Sequence, residues 1–78
     1  MKKKDFYNEL IDFLELDIST LDENTNFNSI EGYDSLAVMS LIAFCDEKFG
    51  AKINARQIQQ LTTVGSLMDF LGREKFTD

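Results

Sequence analysis

The chain has 78 residues, 44% of them hydrophobic and 28% charged, which is typical of one small folded domain spanning residues 1–78. Its 14 acidic and 8 basic residues give a formal net charge of -6, which disfavours nucleic acid as a partner, and no segment is apolar enough for membrane insertion. A single cysteine and no histidine exclude an internal disulfide and a cysteine- or histidine-rich metal site, and they favour a reducing, cytoplasmic location.

The first predicted element is an amphipathic helix over residues 3–16. Phe6, Leu10, Phe13 and Leu14 recur at helical spacing, so they share one apolar face that should pack on the core. Lysines begin this segment, and positive charge at a helix N-terminus opposes the helix dipole. We therefore expect the first turn to fray.

A long loop is predicted between the first and second helices, over residues 17–34. It is rich in Asp, Asn, Ser and Thr, whose side chains bond to the local backbone and compete with regular structure. Phe27 and Ile30 are among the apolar residues expected to hold it to the core. Residues 22–26 match the first half of a calcium loop, but Phe27 and Tyr33 stand where glycine and glutamate are required, so no calcium site is predicted.

The second predicted helix covers residues 35–49 and ends at Gly50, because glycine readily adopts the left-handed conformation of a helix C-terminus. At about 100° per residue, one face collects the apolar side chains expected to enter the core, namely Val38, Leu41, Ile42, Cys45 and Phe49. On this face Cys45 is predicted to be an inert, buried thiol.

A second face of the same helix is predicted to turn away from the core. It comprises Leu36, Ala37, Ser40, Ala43, Phe44 and Glu47. This face is apolar for a surface expected to meet water, and exposed apolar area is typical of contact with a partner. We therefore predict that it is a partner-binding surface.

Two shorter helical segments follow. Asn54 can cap a short helix that runs through Gln60, and Thr63 can cap a last helix that stops at Gly72. In that last helix an i, i+3, i+4, i+7 pattern is formed by Val64, Leu67, Met68 and Leu71. The tail, residues 73–78, is expected to fray. The predicted fold class is all-α, a small irregular four-helix bundle with three main helices, one short helix and the long loop.

In the segment from Gly32 to Leu36, one serine, Ser35, stands at the predicted start of the second helix. An anionic group such as phosphate on the Ser35 hydroxyl would be stabilised by the unpaired N–H groups and the positive end of the helix dipole. The alternative is that Asp34 or Ser35 simply caps the helix. Catalysis by Ser35 would need a base within reach, and the chain offers only carboxylates nearby, so we predict no catalytic residue and no enzyme activity.

Over nearly its whole length the chain resembles the acyl carrier proteins and related phosphopantetheine-dependent carrier domains. The resemblance rests on Phe27, Asp34-Ser35-Leu36, Lys48-Phe49-Gly50 and Leu61-Thr62-Thr63-Val64. It implies that a phosphopantetheinyl transferase attaches 4'-phosphopantetheine from coenzyme A to Ser35. Asp34 and Leu36 would complete the motif, and Asp34 would help to hold the transferase's magnesium. The arm would then carry an acyl group as a thioester.

The same resemblance implies a monomeric carrier that presents fatty-acid or other acyl intermediates to acyl-activating, acyl-transfer or condensing enzymes. Typical fatty-acid carriers have several acids on the helix after the serine, whereas this helix has an apolar surface there. Together with Tyr33, this departure favours a specialised carrier in a dedicated, polyketide-like pathway. The bundle interior is expected either to shelter the acyl chain or to be plain core at Met39, Ile42, Leu61 and Met68.

Two alternatives stay open on the sequence. One is a peptidyl or D-alanyl carrier, which would hold an aminoacyl thioester on the same serine. The other is a helical interaction module without a prosthetic group, in which Ser35 is no more than part of a helix cap.

Overall fold

A computed structural model describes residues 1–77, which form an irregular bundle of four α-helices. These helices are α1 (Lys3–Leu14), α2 (Ser35–Phe49), α3 (Ala55–Gln60) and α4 (Val64–Leu71), with two short 3-10 helices at Phe27–Ser29 and Arg73–Lys75. The only strand-like pairings within residues 1–77 are two isolated bridges. The predicted all-α fold class is confirmed.

One apolar core joins the four helices and the long loop. Its fully inaccessible side chains include Phe6, Leu10, Leu41, Phe44, Cys45, Val64, Leu67 and Met68. No polar or charged side chain is buried among the described residues. Burial of apolar area is therefore the main force that holds the helices together.

The first helix ends at Leu14, two residues before its predicted end. Glu15 adopts a left-handed conformation with φ 52°, and the Leu16 N–H then donates to the Ile11 carbonyl at 3.0 Å. Leu16 is nevertheless buried. The apolar periodicity predicted a helix that was two residues too long, because Leu16 packs on the core from the turn after the helix.

The long loop of residues 17–34 is pinned to the start of α4. The Phe27 N–H donates to the Thr62 carbonyl at 2.8 Å, and the Val64 N–H donates to the Thr25 carbonyl at 3.0 Å. Phe27 itself is 2% exposed. These contacts explain why a segment with little helix of its own has a defined path across the bundle.

Both bounds predicted for α2 are confirmed, and so are the caps of the two shorter helices. Gly50 is left-handed at φ 63°, and Asn54 and Thr63 each form a capping box with the residue three positions later. A capping box satisfies two backbone N–H groups that would otherwise lack intrahelical partners. These local signals fixed the helix starts correctly.

The predicted exposure of Ala37 and Phe44 is wrong. Ala37 is 5% exposed and Phe44 is inaccessible, because α1 packs along that flank of α2. The Phe44 ring lies 6.0 Å from the Phe6 ring and 5.4 Å from the Phe13 ring, measured between centroids. A helix with neighbours on two sides is buried over a wider arc than its most apolar stripe.

The predicted fraying at both ends is also wrong for the residues described. Lys2 and Thr77 form a parallel bridge, in which the Lys3 N–H donates to the Thr77 carbonyl at 2.8 Å. Phe76 is 7% exposed, in contact with aromatic rings of the core. Asp78, the last residue of the predicted tail, lies outside the described residues.

Candidate functional site

Ser35 is the first residue of α2, and it is exposed. The helix cap is supplied by Asp34, whose carboxylate Oδ1 accepts the Ala37 N–H at 3.0 Å. The first intrahelical bond runs from the Val38 N–H to the Asp34 carbonyl at 3.0 Å. Because Asp34 does the capping, the Ser35 hydroxyl is left to point into solvent beside the positive end of the helix.

An anion on the Ser35 hydroxyl fits this environment. The N–H groups of Ser35 and Leu36 precede the first intrahelical bond, so they are donors without partners inside the helix. Such donors, aligned with the helix dipole, stabilise a phosphate group. A helix cap and an attachment site are therefore compatible here, because Asp34 supplies the cap and Ser35 remains accessible for attachment.

A cavity of about 170 Å³ opens beside Ser35, between the start of α2, the long loop and α3. Its lining combines apolar with amide and hydroxyl side chains, among them Asn28, Tyr33, Val38, Ile58, Gln59, Leu61 and Thr62. Neither Gln59 nor Thr62 was predicted from the sequence to lie beside Ser35. They are brought to Ser35 by the packing of α3 against α2, a contact that no local pattern reveals.

Tyr33 lies directly before the Asp34-Ser35 pair and is partly buried. Its ring is stacked on that of Phe27, with the centroids 5.4 Å apart and the planes inclined by 23°. Burial raises the pKa of the Tyr33 phenol above its usual value.

The solvent-facing side of α2 differs in membership from the predicted partner surface. We name as its outer face the residues Leu36, Met39, Ser40, Ala43 and Glu47. Leu36 is 71% exposed and Met39 is 67% exposed, while Ser40 is only partly exposed. Ala37 and Phe44 do not contribute, since both are buried. Met39 follows Leu36 by three positions and precedes Ala43 by four, so helical spacing places all three on the same face. This spacing could have added Met39 to the predicted partner surface.

The four predicted lining residues of the interior lie in four different environments. Met68 is inaccessible core, Met39 lies outside the bundle, and Leu61 lines the cavity beside Ser35. Ile42 lines a separate open cavity of about 330 Å³ near the end of α2. The prediction that Met39 faces the interior is therefore wrong, because it lies on the outer face of α2.

No group of three or more metal-binding side chains occurs in residues 1–77. Burial raises the pKa of the Cys45 thiol to about 12, which agrees with its predicted inertness. Across that same span, none of the helices is both long and apolar enough to cross a bilayer.

Comparison with known proteins connects this site to a family. A family model described as "Phosphopantetheine attachment site" matches residues 5–71. The acyl carrier protein of Lactobacillus acidophilus is 27% identical over 75 residues, which is 91% of this chain and 94% of that relative. Those of Chlamydia caviae and Chlamydia felis are each 32% identical over 62 residues, or 80% of both chains. No solved structure matches the chain.

A small helical bundle with a phosphopantetheine attachment domain defines a carrier protein rather than an enzyme. The chain belongs to the acyl carrier protein family. Its prosthetic group is accordingly 4'-phosphopantetheine, and its partners in general are phosphopantetheinyl transferase and enzymes that handle acyl groups.

Proposed function

We propose that Ser35 is the residue to which phosphopantetheine is attached, and that residues 1–78 act as one carrier domain. The observation that carries this proposal is the exposed position of Ser35 at the first turn of α2, with the cap supplied by Asp34. A transferase can reach the hydroxyl without breaking a hydrogen bond that holds the helix. Attachment therefore leaves the fold intact.

The arm supplies a terminal thiol, on which an acyl group is held as a thioester. The chain's own residues provide the surroundings: the N–H groups of Ser35 and Leu36 stabilise an anion on the hydroxyl. Asp34 holds these donors in place through its bond to Ala37, and its second carboxylate oxygen is the candidate ligand for magnesium brought by the transferase. The amide side chain of Gln59 in the adjacent cavity suits a ligand with amide groups.

Intact mass spectrometry tests the attachment. The apo chain is incubated with coenzyme A, magnesium and a broad-specificity phosphopantetheinyl transferase. We expect the mass to increase by one phosphopantetheine unit in the wild type and in Ser40→Ala, and to stay unchanged in Ser35→Ala.

Ser40 is the matched control because it lies on the same helix, on its outer face. Loading of Ser35→Ala would contradict attachment at Ser35, and so would a mass increase in the wild type on a peptide that lacks Ser35. Absence of loading in the wild type would favour the interaction module without a prosthetic group.

We infer that the cargo is an acyl group and that the chain serves a dedicated acyl pathway. The relatives named acyl carrier protein support the first part. The outer face of α2 supports the second, since its exposed side chains Leu36, Met39 and Ala43 are apolar and Glu47 is its one acid. Asp46, the adjoining acid, is paired with Lys52 at 3.1 Å.

Reconstituted fatty-acid elongation separates a dedicated carrier from a housekeeping one. We expect the loaded chain to support elongation poorly compared with a housekeeping acyl carrier protein. Equal support would assign it to fatty-acid synthesis instead. The species found on the arm after purification from the native cell distinguishes an acyl from an aminoacyl cargo, and the aminoacyl result would make the chain a peptidyl or D-alanyl carrier.

We propose in addition that the carrier is a monomer. Phe44, the one aromatic residue of the predicted partner surface, is buried against α1, so it offers no exposed ring for self-association. A cytoplasmic location, in which the chain would encounter coenzyme A and the transferase, stays a prediction.

A further inference from the structure

Tyr33 is the one side chain in residues 31–36 that is not exposed. Its neighbours Gly32 and Asp34 face solvent, and so does Ser35. A Cβ atom built at Gly32 would meet nothing within 4 Å, so the turn before Asp34 is not held by packing at that position. The segment that leads into α2 is therefore anchored to the core by a single ring.

The anchor reaches α4 through a second ring. Tyr33 stacks on Phe27 at a centroid distance of 5.4 Å. Phe27 is buried, and its N–H donates to the Thr62 carbonyl at 2.8 Å. Next to it, Asn26 and Thr63 form an antiparallel bridge. A continuous line of contacts thus runs from the start of α2 through the loop to the cap of α4.

Backbone geometry shapes the turn that carries Tyr33. The Tyr33 N–H donates to the Ile30 carbonyl at 3.1 Å, across a turn in which Gly32 has φ +89°. A left-handed φ of this size is strained for residues other than glycine. The turn and the stacked ring together fix where Asp34 begins the helix.

We propose that Tyr33 is a positioning residue for the loading of Ser35, which acts by stacking on Phe27 and so holding Asp34 and Ser35 in one place. The inference rests on the proposed attachment at Ser35. Loss of the ring frees residues 31–34, and the serine then reaches the transferase in many orientations. The role belongs to the ring rather than to the hydroxyl, so phenylalanine is expected to replace tyrosine at this position.

Steady-state loading kinetics with coenzyme A and a purified transferase test this role in three variants. We expect Tyr33→Ala to lower kcat/KM for loading about tenfold, because a small misplacement of a reacting group is costly. Tyr33→Phe is expected to stay within about twofold of the wild type, because its ring is retained. Tyr7→Ala is the matched control, since Tyr7 is also a partly buried tyrosine packed on the core, but at α1.

Thermal unfolding of each variant allows loading to be measured at a temperature where every chain is folded. Tyr7→Ala is expected to lose stability comparably to Tyr33→Ala and yet to load at the wild-type rate. Equal loading by Tyr33→Ala and Tyr7→Ala would overturn the positioning role. So would a tenfold slower Tyr33→Phe, which would assign the effect to the hydroxyl.

A further variant covers the case in which Tyr33→Ala does not fold. Tyr33→Leu keeps an apolar anchor but cannot stack, and we expect it to load more slowly than Tyr33→Phe at equal helix content. Wild-type loading by Tyr33→Leu would overturn the proposal. Failure of the wild type to load, or loading of Ser35→Ala, would instead contradict the proposed attachment, so the two failures are distinguishable.

Discussion

At Glu23 a single carboxylate contacts two cations from distant parts of the chain. Its Oε2 lies 3.0 Å from the Lys3 Nζ, and its Oε1 lies 2.6 Å from an Arg73 guanidinium nitrogen. The Glu23 backbone carbonyl also accepts the Gly65 N–H at 2.9 Å. Hydrogen bonding from Lys3, followed by that from Arg73, lowers the pKa of the Glu23 carboxyl below its usual value.

Glu23→Gln tests whether this cluster stabilises the fold. A carboxyl whose pKa is lowered by folding contributes stability that is present above its unfolded-state pKa and is lost as the pH falls through its folded-state pKa. We therefore expect Glu23→Gln to lower Tm by a few degrees at pH 7. The difference from the wild type should shrink as the pH falls through the lowered pKa of the Glu23 carboxyl, because that carboxyl then becomes neutral like the glutamine amide.

Glu31→Gln is the control, since Glu31 is an exposed acid of the same loop. It is expected to leave Tm nearly unchanged at every pH. A Tm difference for Glu23→Gln that did not depend on pH would contradict an electrostatic contribution from this cluster.

At the scale of single elements, α2 has two flanks covered by other helices and one side in solvent. α1 packs along one flank and α3 along the other, so the outer face is the part left uncovered. Two of its side chains, Leu36 and Met39, are each about two-thirds exposed or more. Exposed apolar area next to Ser35, the proposed attachment residue, is suited to recognition by shape and apolar contact.

Met39→Ser tests whether partners recognise the outer face by apolar contact, with the phosphopantetheinyl transferase as the probe. We expect KM for loading to rise about fivefold, because an exposed apolar anchor is removed while the core is untouched. Glu47→Gln, on the same face, is expected to change KM less than about twofold, and salt should have little effect. A larger effect of Glu47→Gln, or a steep rise of KM with salt, would indicate recognition by charge.

On the scale of the whole molecule, the beginning and the end of the described chain are joined. The bridge between Lys2 and Thr77 brings Phe76 onto α1 and α2. The Phe76 ring lies 4.8 Å from the Phe6 ring and 5.6 Å from the Phe49 ring. The last residues described therefore complete the core rather than trail from it.

Phe76→Ala is expected to destabilise the fold by about 3 kcal/mol, since it removes a buried aromatic ring and leaves a cavity. Chemical denaturation measures this loss. The control is Phe70→Ala, which truncates an aromatic ring that is 43% exposed on α4 and should cost less than about 1 kcal/mol. If both variants were equally stable, the docking of Phe76 would not contribute to the core as described.

Features that depend on a few neighbouring residues were predictable from the sequence. Asp34 and Gly50 mark both ends of α2 by local capping chemistry, which also places Ser35 at the first position of the helix. That Ser35 carries the prosthetic group stays a prediction. Features that depend on the arrangement of helices were not. Phe44 looked exposed because a helical pattern does not show where α1 lies, and Phe76 stands alone after Gly72 with no periodic pattern.

The position of Tyr33 also has an optical consequence. The chain contains no tryptophan and 2 tyrosines, so its intrinsic fluorescence comes mainly from Tyr7 and Tyr33. A Tyr7→Phe chain keeps one native emitter, stacked on Phe27 and two residues from Ser35. The tyrosine fluorescence of such a chain reports on the surroundings of Ser35 in real time, without an attached dye.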